Sequence, residues 1–275
     1  AWPQFRGPGR DNVVTAGSPL ARSWPPSGPV VRWRVAVGEG YAGAAVHDGR
    51  VYIIDYDTTE LADALRCLSL DDGREIWRYA YPLKVKRNHG MSRTVPAVAE
   101  GYVVSVGPKS HVLCCDATTG EKQWMIDMVA EYDSTVPPWY AGQCPLIDRG
   151  RVILAPAGPD VLLIAVDLTS GEVIWQTPNP KGWKASHASI MPMTLADGRQ
   201  TYVYVADGGV AGVDAQTGEL LWHTDAWRIK VATVPSAVVI DGSRLFLAGG
   251  YNAGAMMLQI TPSENGYQTQ PLWTV

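Results

Sequence analysis

Five tryptophans recur along this chain at an almost constant interval. Trp77, Trp124, Trp175, Trp222 and Trp273 are separated by 47, 51, 47 and 51 residues, and the first four each follow a glycine by four positions (Gly73, Gly120, Gly171, Gly218). Self-similarity at a period of 20 to 50 residues marks stacked supersecondary units, each unable to bury its apolar face alone. The units read LRCLSLDDGREIW (65–77), VLCCDATTGEKQW (112–124), LIAVDLTSGEVIW (163–175) and VAGVDAQTGELLW (210–222). Each is a short apolar run, a polar D-x-x-T/S-G-type turn and a second run ending in Trp. Asp and Thr side chains bond nearby backbone N–H groups and Gly accepts the positive φ that reverses the chain, so each unit predicts a β-hairpin.

A second pair of β-type runs broken by a turn precedes each hairpin: AAVHDGRVYIID (44–55), PAVAEGYVVSV (96–106), PLIDRGRVILA (145–155), PMTLADGRQTYVYVA (192–206) and PSAVVIDGSRLFLA (235–248). Four antiparallel strands per repeat, with no amphipathic helical stretch between them, predict an all-β propeller of four-stranded blades. Solenoid repeats are shorter or helical, and a sandwich would not hold a Trp at fixed phase. The expected blades are about 41–77, 88–124, 136–175, 183–222 and 228–273, after an N-terminal extension over 1–30. The five tryptophans are read as structural docking residues, each ring filling the wedge between twisted sheets and burying roughly 150–250 Å².

Composition agrees with a folded chain, since 46% of residues are hydrophobic and 18% charged. Lys and Arg number 23 against 27 Asp and Glu, with no basic run, which excludes a binder that works by neutralising nucleic-acid phosphates. The longest uncharged stretches are interrupted by Gly, Pro or an acid, as in Val152 to Pro159 followed by Asp160, and none is the continuous apolar run of eighteen or so residues that a membrane helix needs. The chain begins at Ala1 without a leader, as a mature exported chain would, so a periplasmic or extracellular location is expected. Four cysteines (Cys67, Cys114, Cys115, Cys144) without CxxC spacing make neither a disulfide scaffold nor a zinc site.

The pattern D-x-x-T-G-E-x-x-W, as in DATTGEKQW (116–124) and DAQTGELLW (214–222), resembles the tryptophan-docking repeat of the PQQ-like (quinoprotein-like) β-propellers. The opening WPQFRGPGRDN (2–12) is similar to the mature start of exported PQQ-like repeat proteins of planctomycete-type bacteria. This resemblance spans about residues 30–275 and specifies fold more than chemistry, because the repeat builds both quinoprotein dehydrogenases and a cofactor-free propeller of outer-membrane assembly. It implies an eight-bladed ring. Val31–Val35 reads as the outer strand of a closing blade around Trp33, with its inner strands missing. On the order of 140 further residues, or a partner chain, are then expected beyond Val275. A five-bladed ring with Trp33 on an added strand is the alternative.

The resemblance also draws attention to Cys114–Cys115, since quinoprotein alcohol dehydrogenases carry a disulfide between adjacent cysteines. Here the pair aligns with mid-strand Ala165–Val166 and Gly212–Val213, where neighbouring side chains point to opposite faces, so two reduced, packed thiols are expected. Ligand sites of propellers lie at the channel mouth, before each innermost strand. Aligning these segments brings Tyr41, Arg93, Tyr140, Gln143, His187, Ser189 and Thr233 there, with Arg87, His89, Lys184 and Lys230 in the same class of loops making the mouth cationic. The competing reading is that these polar groups cap channel ends and bond backbone. Quinone chemistry would need an aromatic floor, for which Trp183 or Trp139 are candidates, a Ca²⁺ held by carboxylate and amide oxygens, and a catalytic Asp. Glu131 and Asp133 are the nearby acids, but no acid–amide pair stands in a recognisable setting. The expected function is an exported, non-catalytic propeller without cofactor or metal that binds a protein, peptide or glycan through its loop face. The alternative is a PQQ- and Ca²⁺-dependent oxidoreductase of alcohols or sugars.

Overall fold

The computed structural model describes residues 1–14, 21–264 and 266–275. It contains five four-stranded antiparallel sheets in chain order. The first holds β1 (Ala45–His47), β2 (Arg50–Asp57), β3 (Ala62–Ser69) and β4 (Glu75–Pro82). The second holds β5 (Ala97–Ala99), β6 (Tyr102–Val106), β7 (His111–Asp116) and β8 (Lys122–Asp127), and the third β9 (Leu146–Asp148), β10 (Arg151–Leu154), β11 (Val161–Asp167) and β12 (Val173–Pro178). The fourth holds β13 (Met191–Thr194), β14 (Gln200–Ala206), β15 (Gly209–Asp214) and β16 (Leu220–Thr224), and the fifth β17 (Val238–Val239), β18 (Arg244–Gly249), β19 (Gly254–Ser263) and β20 (Gly266–Thr274). Each outer strand runs past its Trp rather than ending on it. The one α-helix among the described residues, α1 (Met128–Tyr132), has Asp127 accepting from Val129 and Ala130 N–H while Glu131 accepts from Asp127 N–H, a reciprocal cap.

The turn signature works as read. Asp116, Asp167 and Asp214 each accept two backbone N–H groups within their turns at 2.7–2.9 Å. Gly120, Gly171 and Gly218 take φ of 74–77°. The same glycines have a second task. A Cβ built on Gly73, Gly120, Gly171 or Gly218 would lie 2.5–2.8 Å from the ring of Trp33, Trp77, Trp124 or Trp175 respectively, so the indole of one unit rests on the bare turn of the next. Trp33, Trp77 and Trp124 also donate Nε1–H to Leu70, Ala117 and Leu168 O.

A small residue opposes the Trp across the outer hairpin in the first four sheets, whereas Met257 opposes Trp273 in the fifth. Cys67, Cys114, Ala165 and Gly212 pair with Trp77, Trp124, Trp175 and Trp222, and a β-bulge follows immediately in each sheet. That register explains Cys114. All four cysteines are free and buried. Cys114 packs with Trp124 between the second and third sheets, whereas Cys115 packs with Leu65 and Cys67 between the first and second, so the two thiols occupy opposite faces of β7. Burial pushes both thiols up, Cys115 to about 12.

Two segments depart from the expectations. Residues 31–35 form no strand, although Trp33 docks on Gly73; the following residues cross the flank of the first sheet, where Gly38 N–H donates to Asp55 and Arg66 to Ala36 O. The extension before them is not inert. Trp2 exchanges two backbone hydrogen bonds with Val46, Val98 N–H donates to Pro3 O, and Arg10 Nη1 donates to Pro145 O and Gln4 Oε1. Residues 2–10 thus lie along the inner ends of the first three sheets, covering strand edges. Arg10 is fully buried against the Phe5 ring, with burial lowering it to about 10.

Candidate functional site

The inner strands converge on a cavity of about 1070 Å³. Its floor is a series of small residues, one per sheet: Gly43, Val95, Cys144, Ser189 and Ser236. They are linked around the channel, because Val95 N–H donates to Cys144 Sγ at 3.2 Å, Cys144 N–H to Ser189 Oγ at 3.0 Å and Ser189 N–H to Ser236 Oγ at 2.9 Å. A short acceptor side chain on each sheet therefore satisfies a backbone donor of the preceding one. Gly43 extends the series by close approach, since a Cβ there would meet Val95 at 2.8 Å.

Above the floor stand rings and cations. Arg93 lies over the Tyr41 ring at 5.3 Å and donates to His89 O at 2.6 Å, while its Nε–H is buried without a partner. Burial holds Arg93 below its usual range, and no carboxylate offsets that. His187 Nε2 and Pro138 O lie 2.7 Å apart, and the His187 ring is 6.3 Å from Trp139. Burial pulls His187 down from its ordinary value, with Arg93 adding to the fall. The carbonyl of Pro138 fixes a proton on Nε2 in the neutral ring, leaving Nδ1 as acceptor. Phe5 and Arg6 of the N-terminal segment close one side and Tyr251 another. Arg6, His89, Trp139 and Tyr251 all have φ between 53° and 65°, a left-handed conformation that costs a non-glycine residue about 1–3 kcal/mol.

Of the expected mouth residues, Tyr41, Arg93, His187 and Ser189 line the cavity and Tyr140, Gln143 and Thr233 do not. Gln143 closes on the backbone of Ala155 from both ends of its amide. The Tyr140 hydroxyl donates to Lys86 O, and Thr233 is buried with its carbonyl accepting from His187 N–H. Among the loop cations only His89 reaches the cavity. Arg87 pairs with Glu39 at 2.6 Å, and Lys184 bridges to Asp207 through its backbone. Phe5, Arg6 and Tyr251 also line the cavity, although no repeat position in the sequence points to them. The segment 2–12 resembles a family's opening, and nothing local in it shows that it crosses three sheets.

The lining does not fit a Ca²⁺-bound quinone. Among the described residues it presents no Asp, Glu, Asn or Gln, so neither the carboxylate and amide oxygens of such a Ca²⁺ site nor a carboxylate base faces the cavity. Trp139 stands in the wall, but Trp183 is buried against Gly208 and Gly209, and Glu131 and Asp133 belong to the ends of α1.

Comparison with known proteins places this geometry. A family profile described as outer membrane protein assembly factor BamB matches residues 61–274. The chain belongs to this family of PQQ-like β-propellers. It is 23% identical over 225 residues to the outer membrane protein assembly factor BamB of Burkholderia pseudomallei, covering 80% of this chain and 54% of that protein. It is also 23% identical over 181 residues to the quinohemoprotein alcohol dehydrogenase of Comamonas testosteroni, covering 62% of this chain and 24% of the enzyme. The chain thus spans about half and about a quarter of the length of these curated relatives. Among solved structures, BamB from Moraxella catarrhalis superposes with a TM-score of 0.60 at 14% identity, over 89% of this chain and 64% of that one. The quinohemoprotein alcohol dehydrogenase ADHIIG of Pseudomonas putida HK5 superposes with a TM-score of 0.54 at 15% identity, over 90% and 43%. These likenesses concern the fold. No helix of the described residues is long and apolar enough to cross a membrane.

Proposed function

We propose that this chain is a non-catalytic exported scaffold, working in the periplasm or outside the cell, that holds a protein or peptide partner on the face carrying the cavity. One observation carries the reading: the mouth is built from Arg and ring side chains around a hydrogen-bonded floor, and among the described residues it lacks the carboxylate and amide side chains of the dehydrogenase alternative. Buried Trp, Tyr and Arg are the residues that dominate protein recognition. The floor serines and Cys144 are consumed in linking sheets, which leaves them to architecture rather than to nucleophilic attack. BamB relatives, named for outer-membrane protein assembly, support a binding role.

Two assays test this. Immobilised protein should retain a defined partner from an envelope extract of its source cell, and the triple variant Tyr41→Ala, Trp139→Ala, Tyr251→Ala should lose it while melting unchanged. With added PQQ, Ca²⁺ and an acceptor dye, alcohols and sugars should produce no reduction above the cofactor alone. Saturable turnover there would overturn the scaffold reading in favour of the oxidoreductase.

A further inference from the structure

The chemistry of the mouth restricts what can sit in it. The cationic or cation-forming residues of the described lining are Arg6, Arg93, His89 and His187, and no carboxylate stands among them; the remaining ionisable groups are the Cys144 thiol and the Tyr41 and Tyr251 phenols. Neither arginine forms an ion pair among the described residues, and the Arg93 Nε–H has no acceptor. Donors therefore outnumber acceptors. A neutral glycan brings hydroxyls that donate as well as accept, and the amide and carboxylate acceptors that would receive them are missing from the lining. Leaving such donors buried and unmet costs about 1–3 kcal/mol each. A carboxylate, which only accepts, meets the arginines without that penalty.

The rest of the wall is apolar and aromatic, with Tyr41, Trp139 and Tyr251 between the cations. A ligand of dense charge would leave those rings facing water. The space of about 1070 Å³ lies just above the ~300–1,000 Å³ usual for small-molecule sites, so it has room for several residues of extended chain. We infer that the mouth receives an acidic peptide segment, its carboxylates held by Arg6 and Arg93 and its interspersed apolar side chains laid on Tyr41, Trp139 and Tyr251. This rests on the scaffold reading above and names its partner. It also gives the N-terminal segment a role in recognition: tied down by the Trp2–Val46 pairing and by buried Arg10, it carries Arg6 to the cavity.

The test is a fluorescence-anisotropy titration of the whole chain with a fluorescein-labelled octapeptide alternating Glu and Leu. Its Lys/Leu counterpart and an oligogalacturonate serve as comparison probes. The Glu peptide should bind saturably and weaken as salt rises, and the Lys peptide should not bind. Arg93→Gln and Arg6→Gln should each weaken binding about tenfold or more. Arg6 makes no side-chain hydrogen bond among the described residues, so Arg6→Gln should keep the wild-type melting temperature and separates a lost contact from a lost structure. Equal binding of both peptides, no binding of the Glu peptide, or preferential binding of the oligogalacturonate would overturn the inference. If the Glu peptide fails while the partner is still retained, only the occupant is wrong; if retention fails too, the scaffold reading falls with it.

Discussion

The flanks of the first and fifth sheets carry the same kind of surface and treat it differently. On the first, Trp33 rests on Gly73 and the segment behind it is held by Asp55 and Arg66, an ion pair of 2.9 Å that is mostly buried. On the fifth, Trp273 is 43% exposed among the described residues, with Phe246 at 6.1 Å as its ring neighbour. Trp124 and Trp175, inside the row, are 8% and 7% exposed. A tryptophan at the right phase therefore does not bury itself. Burial needs a neighbouring sheet to cover the indole, which in the first three blades is the bare glycine turn of the following unit. Trp222 shows the same lesson in another form: the fifth sheet's turn lacks the D-x-x-T-G pattern, and Trp222 is buried instead over Gly212 of its own sheet and in a cluster with Leu245 and Leu258.

The sharpest way to break this comparison is to remove the indoles. Trp124→Ala should cost about 3–5 kcal/mol by denaturant unfolding, the range for deleting a buried aromatic, and Trp273→Ala less than about 1 kcal/mol. Similar losses at the two positions would mean that Trp273 is covered in solution. The glycine turn can be tested next. Gly218→Ala meets both a positive φ and the Trp175 ring at 2.6 Å, so strain and overpacking together should cost about 2–5 kcal/mol. Gly101→Ala has the same sign of φ with no atom within 4 Å and should cost about 1–2 kcal/mol from the backbone alone.

A titration sharpens the picture of the interface between the first and second sheets. Burial raises the Asp63 carboxyl to about 7, and Tyr81 donates to it at 2.5 Å across β3 and β4. The folded state keeps the proton between the unfolded value of about 3.9 and about 7, so stability should fall as pH rises through that window and level off above it. Asp63→Asn should flatten the slope and stabilise the protein at pH 8 by on the order of 1 kcal/mol. An unchanged slope would mean that Asp63 is ionised throughout. The smallest effect belongs to Trp33→Ala, expected near 1 kcal/mol because its ring is only half-buried. Faster hydrogen exchange confined to residues 33–40 and the 69–74 turn would check it.

Much of the fold was legible because each repeat announces itself locally: an Asp that bonds its own turn, a Gly with positive φ, a Trp four residues on. The candidate site was half legible. Tyr41, Arg93, His187 and Ser189 precede inner strands, and alignment of the repeats finds them. Gln143 looks identical in sequence, yet it turns back onto Ala155, because an amide can satisfy both a backbone donor and an acceptor in its own sheet. Arg6 and Phe5 reach the mouth only because Trp2 and Arg10 bond residues 44 and 135 positions away.

The residue pattern by itself determined the blade, its strand count and its turns, since all of these depend on neighbours within about twenty positions. Only the tertiary structure decided which tryptophans are buried, where the N-terminal segment lies and which polar side chains face the cavity. Those outcomes depend on surfaces contributed by different sheets. A turn glycine or a serine has the same local chemistry whether or not another sheet arrives to use it.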